Sequence, residues 1–158
     1  MDGYEDVYLM SIRPQYAKAI LAGRKRFELR RLDGLPRIGE GSVIVIYASG
    51  KLKSILGEFR ARRVYEAAPE KVWAMVQGPG TGVGRDAWDY IKGARRAMAI
   101  EVGERLVYQR PVTLEEVRRI IPGWMPPYSY KRLADGDPIY ELVIKPLRAA
   151  SKGQPPYT

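Results

Sequence analysis

The chain of 158 residues contains no cysteine and no histidine. Disulfides, Cys/His zinc sites and catalytic triads that depend on histidine are therefore excluded. No apolar run is long enough to cross a bilayer. The acidic N-terminus MDGYEDVYLM also lacks the hydrophobic region of a signal peptide. We expect a cytoplasmic protein that has no membrane partner and needs no metal or cofactor.

Asparagine is also absent, while charged residues make up 28% of the chain. Few thermolabile side chains and many charges are typical of heat-adapted proteins, which predicts a thermophilic source. Acidic residues are in the minority, with 18 Asp and Glu against 27 Lys and Arg, and the net charge is +9. A basic protein of this kind suits a partner that carries phosphates, although a basic surface without such a role is the alternative.

The positive charge is concentrated in the first 65 residues. Residues 13–31 carry seven cations and one acid, and residues 51–63 carry five cations and one acid. Residues 113–119, by contrast, carry two charges of each sign. This uneven distribution favours a local binding surface over a uniformly basic one.

The fold indicated by the periodicity is α+β and predominantly β, a small mixed barrel of about six strands with short flanking helices. Regular alternation of strands and helices, which a doubly wound sheet would need, is missing. One domain is predicted over residues 1–148, followed by a frayed tail over residues 149–158. Strands are predicted at 7–10, 26–30, 43–49, 55–66, 96–102, 105–112 and 139–145, and helices at 13–23, 69–76, 85–93 and 113–121.

Proline, glycine and capping residues predict where several of these helices and strands begin, end or bend. Pro14 and Gly23 suit the first position and the C-terminal end of the first helix. Thr113 and Glu116 have the spacing of a capping box. Gly57 predicts a bulge or a close approach, and Gly103 predicts a turn between two strands.

The segment GRKRFELR, residues 23–30, has the strongest functional signal. Strand periodicity directs Phe27 and Leu29 to one face, and Arg26, Glu28 and Arg30 to the other. One interpretation is a solvent-exposed face with salt bridges. The other is an anion site, because the planar guanidinium group of Arg matches phosphate oxygens.

Two loops allow functional readings of their own. GPGTGVG, residues 78–84, lacks the GK[ST] ending of a phosphate-binding loop, so a flap or a plain linker is expected. PPYSYKRL, residues 126–133, places Tyr128 and Tyr130 beside Lys131 and Arg132. Such rings either stack on nucleobases or close the end of the barrel.

Several of these stretches occur in an order that resembles the ASCH domain family, small β-barrels related to the PUA domains of RNA-modifying enzymes. They are SIRPQYAKAILAGRKRFELRR, VIYAS, LGEF, YIKGARRAMAIEV and PPYSYKRL. Gly23, Lys25 and Arg30 match the family's helix-Gly-x-Lys-x-x-x-x-Arg signature. PPYSY is similar to the Pro-Gln-Ser-Phe loop of archaeal members, with Tyr128 and Tyr130 in place of Gln and Phe, so the chain resembles an archaeal-type member.

This resemblance implies a cleft between the first helix and the barrel that holds tRNA, single-stranded RNA or a modified nucleoside. The residues implied to bind the nucleic acid are Ser11, Arg13, Lys25, Arg26, Glu28, Arg30, Ser49, Ser129 and Tyr130.

A non-catalytic RNA-binding module is the favoured hypothesis, and two alternatives remain. Some family members are amidohydrolases that deacetylate acetylcytidine with a Lys, a Thr and a Glu. Lys25 matches that Lys, but Glu28 stands at the Thr position, so the enzyme hypothesis takes Lys25 and Glu28 as its reactive pair. The other alternative is a protein-interaction domain that uses the aromatic loop near Trp124.

Overall fold

The computed structural model describes residues 5–153. Within them, six strands form one curled sheet in the order β2-β5-β4-β3-β1-β6, and five short helices flank it. The strands are β1 Val7–Ile12, β2 Phe27–Arg31, β3 Val43–Ala48, β4 Ser54–Ala67, β5 Ala97–Thr113 and β6 Tyr130–Arg132. The helices are α1 Pro14–Leu21, α2 Pro69–Met75, α3 Arg85–Ile91, α4 Leu114–Ile120 and α5 Lys145–Lys152. The predicted α+β, mainly β architecture is confirmed as a half-barrel.

The connections place β1 and β2 far apart in the sheet. β1 pairs in parallel with β3, whereas the other neighbouring strands are antiparallel. A parallel pair needs a long crossover connection, and here that connection contains α1 and β2. β2 itself pairs with β5 at the outer edge, opposite the edge formed by β6. A site that uses both β1 and β2 therefore depends on the curl of the sheet.

Several residues that were predicted from the sequence to begin or end a helix, or to allow a close approach, do so in the structure. α1 begins at Pro14, and Gly23 follows the helix with a φ of 82°. Thr113 and Glu116 form both hydrogen bonds of a capping box at the start of α4. A Cβ on Gly57 would lie 2.6 Å from the Leu106 carbonyl oxygen, so the close approach predicted there is confirmed.

The turn predicted at Gly103 is wrong. The two strands predicted at 96–102 and 105–112 form one long strand, β5, which begins at Ala97, and both halves pair with β4. Val102 lies opposite Ala61 and Arg105 opposite Phe59, so Gly103 belongs to a bulge within the ladder. A Cβ on Gly103 would lie 3.0 Å from the Arg60 carbonyl oxygen, which explains the glycine at this position.

The last predicted strand, residues 139–145, is helical instead. A π-helical segment, Tyr140–Ile144, leads directly into α5. Ile139, Val143, Ile144 and Leu147 recur at helical spacing and pack in one core cluster. Pro146 has no N–H to donate to the carbonyl four residues earlier, and the wider π-turn lies where this bond is missing.

The tail predicted to fray from Ala149 starts as part of a helix. α5 continues to Lys152, and Ser151 is buried, with its hydroxyl accepting from the Gln109 N–H at 2.9 Å. Residues 154–158 of that tail lie outside the described residues. Among residues 5–153, no helix is long and apolar enough to span a membrane.

Candidate functional site

Three buried charged side chains of the GRKRFELR segment form one cluster. Lys25, Glu28 and Arg30 are only 6%, 6% and 8% exposed. The Lys25 Nζ donates to Glu28 Oε1 at 3.0 Å and also to the Phe27 carbonyl oxygen, and the Arg30 Nε donates to Glu28 Oε2 at 2.9 Å. Both carboxylate oxygens of Glu28 are thus held by cations.

Arg30 also connects the two distant parts of the sheet. From β2, its Nη2 donates to the Ser11 carbonyl oxygen of β1 at 2.7 Å. Its Nη1 donates to Ser129 Oγ, just before β6, at 3.1 Å. The Ser11 N–H donates to the Ser129 carbonyl oxygen at 2.9 Å, and Ser11 Oγ donates to the Pro127 carbonyl oxygen at 2.7 Å. One arginine therefore closes the half-barrel where strand pairing does not.

The ionisation of Glu28 follows from its two partners. Burial raises the pKa of this carboxyl, but the charges of Lys25 and Arg30 and their hydrogen bonds outweigh burial. The pKa of Glu28 therefore lies below its ordinary value, and the group is a carboxylate at neutral pH. Its hydrogen bonds orient Lys25 and Arg30, so its main effect is to fix the positions of two cations.

The alternation of β2 produces this arrangement. Phe27 and Leu29 pack in an apolar cluster with Val72 of α2 and Ile91 of α3. That packing turns Glu28 and Arg30 towards the opposite face. For these two residues the solvent-exposed interpretation is wrong, because both are buried.

A cleft of about 650 Å³ lies against the charged cluster. It is formed by the end of β1, the start of α1, β2, the β3–β4 turn, the loop before α3 and the loop before β6. Its lining residues that carry polar or aromatic side chains are Ser11, Arg13, Tyr16, Lys25, Glu28, Arg30, Tyr47, Ser49, Lys53, Asp86, Tyr90, Arg118, Tyr128 and Ser129.

Most residues that sequence reasoning selected meet at this cleft. Seven of the nine line it: Ser11, Arg13, Lys25, Glu28, Arg30, Ser49 and Ser129. Arg26 does not, because it precedes β2 and its side chain is 55% exposed, 4.0 Å from Glu101. Tyr130 is buried, with its ring edge-on to Tyr8, so it closes the barrel end and leaves no free face for a base. The binding role of the set stays a prediction.

Other lining residues were missed by the sequence reasoning. The Lys25 Nζ lies 5.5 Å from the centre of the Tyr16 ring, and the Tyr47 ring packs edge-on against Trp124. Tyr47 follows a register shift in the β3–β4 ladder, which no local pattern in VIVIYAS reveals. Lys53 lies in the β3–β4 turn and Arg118 lies in α4, and only the folded chain brings them to one rim.

The glycine-rich loop of residues 78–84 packs directly against the Lys25 segment. The Arg26 N–H donates to the Thr81 carbonyl oxygen at 2.8 Å. Gly82 has a φ of 74°, and a Cβ there would lie 2.2 Å from the Arg24 carbonyl oxygen. Val83 and Gly84 then reach the cleft wall. From Thr81 onwards, the loop is thus packed against the Lys25 segment and reaches the cleft wall.

Two carboxylates line the cleft, but the described residues bring no larger acidic cluster together there. Glu28 and Asp86 both line it. Across residues 5–153, no three Asp or Glu side chains lie close enough together to hold a metal ion.

A curled α+β half-barrel of six strands is the architecture of the PUA-like proteins. The chain belongs to the ASCH domain family, whose model matches residues 10–119. It is 28% identical over 128 residues to the ASCH domain-containing ribonuclease of Zymomonas mobilis, covering 77% of this chain and 80% of that protein.

Solved structures agree with this assignment. The crystal structure of ASCH from Zymomonas mobilis superimposes with a TM-score of 0.71 at 25% identity, covering 83% of this chain and 90% of that one. A mutant of the same protein gives a TM-score of 0.73, also at 25% identity, covering 87% and 96%. The likeness thus extends over most of both chains.

Proposed function

We propose that the cleft binds single-stranded RNA through its phosphates and one unstacked base. The observation that carries this proposal is the state of the cations on its rim. Within the described residues, Arg13, Lys53 and Arg118 line the cleft without an acidic partner within 4 Å. Exposed cations elsewhere are often paired, as Lys92 is with Asp89 and Lys145 with Glu141. Arg118 also donates to the Trp124 carbonyl oxygen at 2.9 Å, but this neutral partner does not cancel its charge, so all three cations can attract phosphates.

An exposed aromatic ring at the same cleft supports recognition of a base. Tyr128 lines the cleft, and its side chain is fully exposed to solvent. A ring that contacts no core residue adds nothing to folding, yet it offers a free face for stacking. Met125, also largely exposed, lies beside it in the cleft wall. Of the two tyrosines of PPYSY, Tyr128 is therefore the one that can stack on a base, since Tyr130 is buried.

The size of the cleft favours single strands. A volume of about 650 Å³ fits a nucleotide. Bases in an A-form duplex are stacked and cannot enter such a cleft, whereas bases in single strands and loops are free to do so. A tRNA loop and a free modified nucleoside both meet this requirement. The relative from Zymomonas mobilis is named as a ribonuclease, which supports RNA as the ligand class.

Fluorescence anisotropy tests the binding proposal. We expect the protein to bind a labelled single-stranded RNA with an affinity that falls as salt rises, and to bind duplex RNA more weakly. Tyr128→Ala should weaken binding to the single strand about fivefold or more, since base stacking contributes roughly 1–3 kcal/mol. Tyr128→Phe keeps the ring and should bind like the wild type. Absence of salt-sensitive binding at micromolar protein would overturn the proposal.

RNA cleavage is a second candidate, favoured by the name of that relative. End-labelled single-stranded RNA, incubated with protein at saturation and analysed by denaturing electrophoresis, tests it. Arg13→Ala/Tyr128→Ala should lose cleavage together with binding, which separates intrinsic activity from a contaminating nuclease. Intact RNA after prolonged incubation would reject cleavage and leave the binding proposal standing.

Deacetylation of acetylcytidine has less support from the geometry. Glu28 has both oxygens bound to cations, and the Lys25 ammonium group donates to Glu28 and to a carbonyl oxygen. The two cations lower the proton affinity of Glu28, and a protonated Lys25 has no lone pair, so neither group is arranged to act as a general base or nucleophile. Chromatography of acetylcytidine incubated with wild type and Lys25→Ala tests the idea. If neither protein converts acetylcytidine, the deacetylation hypothesis is rejected.

The resemblance of the chain to archaeal-type members of the family stays a prediction.

A further inference from the structure

A second, basic groove continues from the cleft across the β3–β4 turn and α4. Its lining residues are Lys51, Leu52, Lys53, Thr113, Leu114, Glu115, Arg118 and Arg119. Three of them, Lys53, Leu114 and Arg118, also line the cleft. The two depressions therefore share a wall, and a chain that leaves the cleft on this side enters the groove.

Backbone contacts fix the two sides of the groove relative to each other. The Leu114 N–H donates to the Lys53 carbonyl oxygen at 2.8 Å, and Ser54 pairs with Thr113 in the β4–β5 ladder. Lys53 has a φ of 42°, a left-handed conformation that is uncommon for a residue other than glycine. The turn that carries Lys51 and Lys53 is thus held beside α4 by the sheet itself.

The charges of the groove are mostly uncompensated. It contains the four cations Lys51, Lys53, Arg118 and Arg119 and one acid, Glu115. Only Arg119 is paired, with Glu115 at 3.4 Å, and both of these side chains are exposed, so the pair is weak. In the part of the chain that the structure describes, the other three have no acidic partner within 4 Å.

The chemistry of the lining indicates which part of a nucleic acid the groove fits. No aromatic ring lies among the residues that line it, so it offers no stacking surface for bases. Lysine and arginine side chains on both sides instead match a row of phosphates. An acidic peptide would present carboxylates at a different spacing, and continuity with a cleft that holds a base favours RNA.

We propose that this groove binds the sugar–phosphate backbone of the RNA strand whose base occupies the cleft. The inference rests on the proposed function, because the cleft must hold a nucleotide for the strand to continue into the groove. Lys51 and Arg119 line only the groove, so substitutions there leave the cleft intact.

RNAs of two lengths distinguish binding in the cleft from binding in the groove. We compare Lys51→Ala/Arg119→Ala with wild type on a labelled dinucleotide and on a single-stranded RNA of about 12 nucleotides. The variant should bind the long RNA about tenfold more weakly at low salt, with a salt slope smaller by about 1.4, since each neutralised phosphate contributes about 0.7. Its affinity for the dinucleotide should match that of the wild type.

A matched control keeps the net charge equal. Lys71→Ala/Lys145→Ala removes two exposed lysines from surfaces outside both depressions. Among residues 5–153, Lys71 has no acidic partner within 4 Å, and Lys145 is paired with an acid four residues away. This variant should bind both RNAs like the wild type.

The binding results distinguish failure of the groove inference from failure of the proposed function. Equal binding of the long RNA by the groove variant and the wild type would overturn the inference and leave the cleft proposal standing. Equal weakening by the groove and control variants would overturn it as well, because net charge would then explain the loss. If the wild type binds neither RNA, the proposed function fails and the groove inference fails with it. An acidic peptide that binds the groove more tightly than the long RNA would also contradict it.

Discussion

Glu28 holds the cleft together at the scale of single residues. It is the acid between Lys25 and Arg30, and all three side chains are buried. Glu28→Gln leaves two buried cations without a counter-charge, so we expect the free energy of unfolding to fall by about 3–5 kcal/mol. Urea denaturation measures this change. Asp89→Asn breaks an exposed ion pair and should cost less than about 1 kcal/mol. Equal effects of the two substitutions would show that the cluster adds no stability.

The lowered pKa of Glu28 predicts how the stability of the fold changes in acid. Because the pKa of Glu28 is lowered in the folded protein, its ion pairs stabilise the fold above its ordinary pKa of 4.5. That contribution is lost as the pH falls below 4.5 and through the lower folded pKa. Unfolding curves measured at pH 7 and at successive steps below 4.5 should therefore show a loss of stability in the wild type that is smaller in Glu28→Gln. Parallel curves would contradict the assignment.

At the scale of elements, the glycine-rich loop controls the position of Lys25. A Cβ at Gly82 would lie 2.2 Å from the Arg24 carbonyl oxygen and 2.7 Å from the Lys25 Cα, both backbone atoms that cannot move aside alone. Gly82→Ala should therefore displace the loop, lower the free energy of unfolding by more than about 2 kcal/mol and weaken RNA binding.

Gly80 is the matched control in the same loop. Its φ of 81° is similar, but no atom lies within 4 Å of an added Cβ. Gly80→Ala should show only the cost of the left-handed backbone, about 1 kcal/mol, and bind RNA normally. Denaturation and anisotropy on both variants make the comparison. Identical results would mean that backbone strain alone explains the effect.

Elements with local signals could be predicted from the sequence, and those that depend on distant partners could not. Pro14 and Gly23 each act at one end of α1, and Thr113 and Glu116 act within one turn of α4, and both helices appear where expected. The sequence predicts a strand around Tyr140, where the structure has a helix, because the short apolar run fits both periods. The sequence predicts a turn at Gly103, because the bulge that this glycine forms is visible only against β4.

At the scale of the whole molecule, the candidate site depends on closure of the barrel. The signature segment predicted Lys25, Glu28 and Arg30, but Arg30 reaches Ser11 and Ser129 only because the sheet curls. Sequence reasoning grouped these residues through the resemblance to the ASCH family. It missed Lys53 and Arg118, whose shared rim depends on how the β3–β4 turn packs against α4.

A second buried network joins distant parts of the chain away from the cleft. Arg148 of α5 donates to Glu58 Oε1 at 2.6 Å and Oε2 at 3.2 Å, and to Glu5 Oε1 at 3.2 Å. The Tyr108 hydroxyl donates to Glu58 Oε1 at 2.8 Å, and burial, followed by the Glu58 charge, raises the pKa of Tyr108. None of these four residues lines the cleft.

Arg148→Ala therefore tests whether stability and binding are separable. It leaves the buried Glu58 carboxylate without its cation, so the free energy of unfolding should fall by about 3–5 kcal/mol. RNA affinity, measured by anisotropy where the variant is fully folded, should stay at the wild-type level. Lys145→Ala on the same helix removes an exposed cation and should change neither quantity. A loss of RNA affinity in folded Arg148→Ala would contradict this expectation and show that the buried network is coupled to the cleft. Unchanged affinity would show that the geometry of the cleft depends on the neighbouring Glu28 cluster and not on this distant network.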